Sequence, residues 1–244
     1  MYVSDLVFAI ELTDLADSLG IPRFHAIDLR VETKSDLTPV TDADRTVERA
    51  LRERILAKRP REAVVGEEEG EDVGPVRWVL DPIDGTRNFS RGMPVWATLI
   101  ALERDGQLVC GVVSAPALGH RWWAMRGGGA FRDGEAIRVS RVERLVDASV
   151  SCRACDLAAV EQVIWHARAL GDFWQHVLVA EGAVDGAVDA KLALWDYAAL
   201  VPIVEEAGSE ISGLDGRPPR PSEQVVASNG LLHDELLALI TQRV

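Results

Sequence analysis

The sequence of 244 residues is poor in cysteine, in aromatic side chains and in positive charge. It has 3 cysteines, and 6% of its residues are aromatic. Lys and Arg number 26 against 39 Asp and Glu, so the formal net charge is −13. Nucleic-acid backbones are bound through clustered Lys and Arg, so this balance argues against a nucleic-acid partner. Three cysteines are also too few for a disulfide framework.

The chain also lacks a long apolar run. Its longest strongly apolar stretch covers residues 95–102, far short of the about 18 residues that suggest a membrane span. Residues 1–6 have neither the basic patch nor the apolar stretch of a signal peptide. We therefore expect a cytoplasmic protein with no membrane partner.

Several catalytic motifs are missing as well. The 5 histidines show no H-x-x-x-H or H-E-x-x-H spacing, which argues against zinc catalysis. The sequence has no G-x-S-x-G, Walker or Rossmann glycine pattern. Cys152 and Cys155 have the spacing of a redox or metal pair, but no second pair accompanies them, so we expect free thiols there.

What is present indicates an ordinary folded α+β protein, with 48% hydrophobic and 27% charged residues. Apolar spacing predicts helices over 4–19 and 42–59, then a largely antiparallel sheet with strands at 63–65, 76–80, 95–102, 108–114 and 121–125. Further helices are predicted over 156–165, 173–182, 195–207 and 231–242, with short strands near 184–189, 210–211 and 225–227. We divide the chain into two α/β subdomains, 1–140 and 141–244.

The most informative segment is residues 78–89, in which an apolar strand leads into Asp81-Pro82-Ile83-Asp84-Gly85-Thr86. Pro82 interrupts regular pairing, so a tight turn can direct the carboxylates of Asp81 and Asp84 to one point. Gly85 permits close backbone approach, and the amides of Gly85 and Thr86 can face an anion. The alternative is a common Asp-Pro turn in which Asp84 caps a helix.

Other carboxylates stand at comparable places. Glu67 follows the strand at 63–65, Asp196 lies at the start of an apolar helix, and Asp42 begins an earlier helix. Packing several carboxylates without counter-charge costs several kcal/mol each. Divalent cations would supply that charge, and carboxylate, carbonyl and water are the ligands that Mg²⁺ prefers.

Three motifs resemble those of the inositol monophosphatase superfamily. Residues 81–89 match its D-P-I-D-G-T-x-N-F signature, residues 66–68 resemble its G-E-E element, and residues 195–199 resemble its W-D-x-A-A element. They occur in the family's order and spread over most of the chain. The resemblance implies a layered α-β-α-β-α fold, hydrolysis of phosphate monoesters, dependence on Mg²⁺ and a homodimer.

The resemblance also implies a set of metal ligands. Glu67, Asp81 and the carbonyl of Ile83 would hold one Mg²⁺. Asp81, Asp84 and Asp196 would hold a second, with Asp81 bridging the pair, and Glu67 would share a loosely held third ion. Two such ions about 4 Å apart can stabilise both the attacking and the leaving oxygen of an in-line displacement.

Water and phosphate contacts follow from the same resemblance. Thr86, backed by Asp42, would orient or deprotonate the attacking water, and the amides of Gly85 and Thr86 would hold the phosphate. One departure concerns the family's D-x-V-T-x-x-D element, which we align with residues 36–42. The two Asp residues keep their separation there, but Pro39 occupies the usual Thr position.

Within the superfamily the chain is most similar to the histidinol-phosphatases of actinobacterial type. This likeness is carried by residues 36–44, 91–102, 112–118, 121–123, 171–173 and 179–185. Histidinol phosphate carries an amine and an imidazole, so its site should offer carboxylates. We expect the substrate to contact a polar set of residues: Asp84, Gly85, Thr86, Arg168, Gly171, Asp172, Asp189 and Asp196.

Asp172 and Asp189 are our candidates for the cationic end of the substrate. The alternative for Asp172 is that it caps the helix near Phe173. The alternative for Asp189 is that it is a solvated charge at the end of a strand. Arg168 is a candidate for binding phosphate or for holding the acidic residues in place.

Two other functions compete with this reading. One is a broader inositol, sugar or nucleotide phosphatase of the same superfamily. The other is a catalytically silent phosphate-binding protein, against which the intact set of Glu67, Asp81, Asp84, Thr86 and Asp196 argues.

Overall fold

The structure is a computed structural model that describes residues 2–35, 37–153, 155 and 157–241. Over these residues the helices are α1 (Val3–Gly20), α2 (Asp42–Lys58), α3 (Thr86–Ser90), α4 (Leu157–Glu161), α5 (Asp172–Ala180), α6 (Leu194–Ala198), α7 (Leu200–Glu206) and α8 (His233–Thr241). A 3₁₀ turn covers Leu145–Asp147. No helix within these ranges is long and apolar enough to cross a lipid bilayer.

The strands fall into two large sheets and one small ribbon. They are β1 (Val31–Thr33), β2 (Pro39–Thr41), β3 (Ala63–Gly66), β4 (Gly70–Glu71), β5 (Val76–Asp84), β6 (Ala97–Arg104), β7 (Gln107–Ala115), β8 (His120–Met125), β9 (Ala130–Arg132), β10 (Glu135–Ala136), β11 (Ser149–Cys152), β12 (His166–Arg168), β13 (Gly186–Leu192), β14 (Glu210–Gly213) and β15 (Glu223–Ser228).

The first large sheet has the strand order β10-β9-β8-β7-β6-β5-β3-β4. Its pairs are antiparallel except β3 with β5, which confirms the predicted antiparallel meander. Apolar side chains of α1 and α2, such as Leu12 and Leu51, pack on one face of this sheet against Trp78 and Ile100. The regular apolar spacing of both helices provides this buried stripe.

The second sheet has the order β12-β11-β13-β15-β14. Helices α5 and α7 lie between the two sheets, in a core that joins Val113 and Trp122 of the first sheet to Ala187 and Ala227 of the second. A separate cluster packs α4 and α8 on the outer face of the second sheet. The layers are therefore α-β-α-β-α, as predicted, and the division at residues 140 and 141 stays a prediction.

Two predicted helices differ from the structure. The helix predicted over 195–207 is two helices, α6 and α7, that meet at Ala199. Pro202 lies in the first turn of α7, where its missing N–H is tolerated, whereas inside one long helix it would clash with the preceding turn. The helix predicted over 156–165 ends at Glu161, because Trp165 and His166 hydrogen-bond to the Ala148 carbonyl beside β11.

The expectation of free thiols at Cys152 and Cys155 is wrong in this structure. Their sulfurs form a disulfide across the turn that follows β11, with Cα atoms 6.0 Å apart. A C-x-x-C turn needs no second pair to bring two sulfurs together. Cys110 is free and buried in β7.

Candidate active site

Strand β5 carries the two aspartates of the central motif. Its pairing with β6 shifts between Asp81 and Asp84, at the position of Pro82. Thr98 donates its hydroxyl to the Pro82 carbonyl at 2.8 Å, which ties the irregular segment to β6. The Ile83 amide donates to Asp81 at 3.0 Å. The segment is therefore an irregular part of β5, which continues to Asp84, and the predicted tight turn is wrong. The irregularity holds Asp81 in a buried position with 2% exposure.

Helix α6 brings the third aspartate to the same place. Asp196 lies in the first turn of α6, and its Oδ2 accepts the Ala193 amide at 2.6 Å. One oxygen each of Asp81, Asp84 and Asp196 lie within 4.8 Å of one another. We call these three residues the carboxylate triad. The sequence predicted them as one ligand set although 115 positions separate Asp81 from Asp196.

The triad is crowded with negative charge. Burial, together with the charge of Glu67, raises the pKa of Asp81 well above its usual value. Burial and the charge of Asp172 do the same to the pKa of Asp84, and burial raises the pKa of Asp196 to about 7. Over the described part of the chain, no Lys or Arg forms an ion pair with a triad carboxylate. Three converging oxygens of this kind fit a hard divalent cation such as Mg²⁺.

Glu67 faces the same cavity but has a cationic partner. Lys34, from the segment after β1, places Nζ 2.7 Å from Glu67 and 2.5 Å from Glu68. The buried Glu48 of α2 accepts the Glu68 amide at 2.7 Å and so fixes the turn. A Cβ on Gly66 would overlap the Glu48 carboxylate, which explains the glycine. Sequence reasoning found Glu67 and missed Lys34 and Glu48.

Thr86 is paired with Asp44, so the predicted pairing with Asp42 is wrong. The Thr86 hydroxyl lies 3.1 Å from Asp44 Oδ1 and 2.9 Å from the Ile83 carbonyl. Asp42 instead accepts Arg23 at 2.8 Å on the far side of the turn. The expected alignment was two residues out of register, because residues 40–44 themselves read V-T-x-x-D. In that register Pro39 falls on a variable position.

The start of α2 explains how Asp44 is oriented. Thr41 accepts the Asp44 amide, and Asp44 Oδ2 accepts the Thr41 amide at 2.8 Å, which is a reciprocal helix cap. Its other oxygen, Oδ1, remains directed at Thr86. Burial raises the pKa of Asp44 to about 6.

These groups surround one open cavity of about 630 Å³. The predicted site residues that line it are Glu67, Asp81, Ile83, Asp84, Gly85, Thr86, Asp172 and Asp196. The predicted residues outside the lining are Asp42, Arg168, Gly171 and Asp189. Arg87, Arg153 and Lys191 also line the cavity, and the sequence analysis singled out none of these three.

Asp172 forms part of the cavity wall. It occupies the first position of α5 with φ of 51°, and the helix cap is Gly171, with no side-chain cap bond. The alternative of a capping Asp172 is therefore wrong. Arg153 Nη1 lies 2.5 Å from Asp172 Oδ1, and Asn88 Nδ2 lies 3.4 Å from Oδ2.

Asp189 and Arg168 depart from their expected positions. Asp189 is 1% exposed and accepts Gln175 at 2.6 Å, so it is neither a solvated charge nor a lining residue. Arg168 lies on the edge strand β12 and bonds to the Ser149 hydroxyl at 3.2 Å. Its side chain points along β11 away from Arg153, so the structure does not support the expected phosphate contact.

The layered fold and the clustered carboxylates are those of the inositol monophosphatase family, whose model matches residues 5–244, and the chain belongs to this family. A histidinol-phosphatase from Streptomyces coelicolor is 48% identical to it, over 99% of this chain and 98% of that protein. A histidinol-phosphatase from Mycobacterium tuberculosis is also 48% identical, over 96% of each. An IMPase structure from Thermotoga maritima superposes with a TM-score of 0.91 at 32% identity, covering 98% of each chain.

Proposed function

We propose that the chain is a Mg²⁺-dependent phosphatase that hydrolyses L-histidinol phosphate. The observation that carries the proposal is the carboxylate triad, with its oxygens within 4.8 Å of one another beside an open cavity. In this cluster Asp81 is buried and Asp84 and Asp196 are half-buried, and no side-chain cation among the described residues pairs with them. Such a cluster suits a bound metal ion and a phosphate ester. A silent phosphate-binding protein would not need to keep it.

The choice of substrate rests on the cavity wall and on the relatives. Asp172 presents a carboxylate to the cavity close to the triad, and an ammonium group is its natural partner. An inositol phosphate has hydroxyl groups instead, which do not need a negative wall. Relatives at 48% identity over nearly their whole length are named histidinol-phosphatases.

We assign the magnesium ligands as the family resemblance implies. Asp81, Asp84 and Asp196 would hold one ion, and Glu67, Asp81 and the Ile83 carbonyl a second, with a weakly held third beside Glu67. Magnesium, when bound, supplies Lewis acidity to the phosphate oxygens and to the attacking water. Because Lys34 pairs with Glu67, we expect the triad ion to bind more tightly than the ions that use Glu67.

Thr86 and Asp44 would direct the attacking water. The Thr86 oxygen accepts a hydrogen bond from the water while its own proton is donated to Asp44. The water oxygen would attack phosphorus while the ester P–O bond breaks on the opposite side. One water proton would pass through Thr86 to Asp44, and the departing alkoxide would take a proton from solvent water. Burial has raised the pKa of Asp44 to about 6, so this carboxylate can accept a proton near neutral pH.

The proposal is tested by phosphate release with Mg²⁺ from a panel of esters at matched concentrations. We expect kcat/KM for L-histidinol phosphate to exceed that for myo-inositol 1-phosphate and for a nucleoside monophosphate by at least about tenfold. Faster turnover of the inositol ester would reject L-histidinol phosphate as the substrate, although the protein would still be a phosphatase. No metal-dependent release from any ester would reject the phosphatase itself.

We also propose a homodimer, as the family resemblance implies. Trp165, beside the edge strand β12, is 68% exposed, which is unusual for a tryptophan on a monomer surface. Light scattering after gel filtration should give twice the chain mass. A monomer at micromolar concentration would contradict the proposal.

A further inference from the structure

The wall of the cavity that carries Asp172 contains a side-chain network whose other members the proposed reaction does not use. Arg153, directly after β11, is its central member. The Arg153 guanidinium lies 2.5 Å from Asp172 and 4.0 Å from Asp189. Asp172 faces the cavity, whereas Asp189 is buried behind it. Arg153 therefore bridges a cavity carboxylate and a buried one.

Asp189 is held from behind by a chain of buried polar groups. Gln175 of α5 donates to Asp189 Oδ2 at 2.6 Å, and its own oxygen accepts the Ser151 hydroxyl at 2.8 Å. The Ser151 oxygen in turn accepts the Leu170 amide at 3.1 Å. Because Gln175 and Ser151 are fully buried, each donor and acceptor in this chain has a fixed direction.

Arg153 itself has little freedom to leave this position. Its amide donates to the Val188 carbonyl of β13 at 3.0 Å. Its side-chain stem crosses Gly171 so closely that a Cβ there would overlap Arg153 Cδ. Gly171 also has φ of 75° and ψ of −179°, a conformation that is essentially restricted to glycine. The glycine thus provides the groove in which Arg153 lies.

The network leaves Asp172 with one oxygen committed and one available. Oδ1 is bound by Arg153, while Oδ2 has only a long contact of 3.4 Å to Asn88 among its described hydrogen bonds. Asp172 and Asp189 with Arg153 carry a formal charge of −1. A single fixed negative charge suits one ammonium group and does not repel the phosphate as two free carboxylates would.

We propose that Arg153 is a specificity-determining residue, which fixes Asp172 as the acceptor for a substrate ammonium group, and that Gln175 is a positioning residue that acts through Asp189. Asp189 then serves the site without touching the substrate. This inference rests on the proposed function, since it requires an ester with an ammonium group. It adds residues that the family motifs do not contain.

The test compares L-histidinol phosphate with its deaminated analogue, which keeps the imidazole, the chain and the phosphate. The measured quantity is the ratio of kcat/KM for the two esters, with kcat and KM determined separately. Arg153→Met should lower the ratio about tenfold, by raising KM for the ammonium ester, because losing one charge-assisted hydrogen bond has about this effect. The kcat for the deaminated ester should change less than about twofold, since phosphate contacts are intact.

Two further variants and one control sharpen the result. Asp172→Asn should lower the ratio at least as far as Arg153→Met. Gln175→Met, which is close in volume, should lower it in the same direction by a smaller factor. Arg168→Met removes an arginine from the same sheet but outside the cavity, and should leave the ratio unchanged.

The outcomes separate this inference from the proposed function. If the wild-type ratio of kcat/KM is well above one and stays the same or rises in Arg153→Met, that result would overturn the inference but not the proposed substrate. A rise would show that Arg153 competes with the ammonium group for Asp172. A wild-type ratio near one would show that the ammonium group is not recognised and would overturn the inference, whereas the proposed substrate is decided separately by the panel of esters. Because Arg153 is partly exposed, its variant is expected to fold even if Gln175→Met does not.

Discussion

Asp81 and Asp5 are both buried carboxylates in this chain, but their surroundings differ. Asp5, at the start of α1, is 5% exposed and lies 3.3 Å from Arg59 and 2.9 Å from Arg104. Asp81 is 2% exposed, and its charged neighbours are other carboxylates. An ion-paired carboxylate has its charge compensated, and removing it would leave its cationic partners unpaired, whereas a cluster of like charges is a cost that the fold tolerates. The difference marks the triad as a binding site.

The largest expected effect comes from Asp81→Asn. We expect kcat/KM with Mg²⁺ to fall by about 10³ or more, because several kcal/mol of charge stabilisation at the phosphate are lost. The free energy of unfolding without metal should stay the same or rise, since an amide replaces a charge that nothing neutralises. Phosphate release and urea unfolding measure the two effects. If Asp81→Asn lost much stability but kept its activity, Asp81 would have the structural role that we assign to Asp5.

Asp44→Asn should have the next largest effect. We expect kcat to fall about 10²- to 10³-fold, in the range of a lost general base, because Thr86 loses the group that orients its proton. Asp42→Asn is the matched control, two residues away and paired with Arg23. Its kcat should change less than about threefold. If Asp42→Asn proves the more damaging variant, the assignment of Asp44 is wrong.

The stability of the metal-free protein should depend on pH. The folded-state pKa values of the triad lie above their unfolded values, to about 7 for Asp196. The folded protein then holds protons that the unfolded chain releases. This stabilisation is complete below about pH 4 and is lost as the pH rises through about 7. We expect Tm without metal to be lower at pH 8 than at pH 5.

Magnesium should reverse that loss. At a hundred times its Kd, Mg²⁺ should add about 2.7 kcal/mol, or about 5–10 °C in Tm. At one fixed Mg²⁺ concentration the increase should be larger at pH 8 than at pH 5, because protons and metal compete for the same oxygens. Scanning calorimetry with and without Mg²⁺ measures it. An equal increase in Asp81→Asn would place the stabilising ion elsewhere.

Asp5→Asn should have the smallest effect of all on activity. We expect the free energy of unfolding to fall by about 1–3 kcal/mol, because two hydrogen bonds to arginines lose their charge. Asp5 meets Arg104 at the end of β6 remote from Ala97, which pairs with Asp84. The kcat/KM should therefore stay within about twofold. Lost activity at full stability would contradict this separation of roles.

Local patterns predicted much of the fold. Helices α1 and α2 and the strands β3 and β5 to β8 follow from side-chain periodicity, which a sequence displays directly. The edge strand β12 exists because β11 lies beside it, and nothing in His166–Arg168 signals a strand. Pro202 was a local signal for the break between α6 and α7, and it was overlooked.

In the candidate site, too, some residues could be predicted from local sequence patterns and others could not. The triad was predictable because its residues lie in contiguous motifs. Asp44 was visible as well, in V-T-x-x-D at residues 40–44, but was missed by a shift of two residues. Lys34 and Arg153 reach the site from separate segments, and only the folded chain brings them beside Glu67 and Asp172. No spacing in the sequence encodes such contacts.

The most direct test of the account is a crystal structure of the protein grown with Mn²⁺, which binds oxygen ligands as Mg²⁺ does and scatters anomalously. We predict an anomalous peak about 2.2 Å from carboxylate oxygens of Asp81, Asp84 and Asp196. Asp81→Asn crystals should lose this peak. An active enzyme whose metal peaks lie away from all three carboxylates would contradict the account.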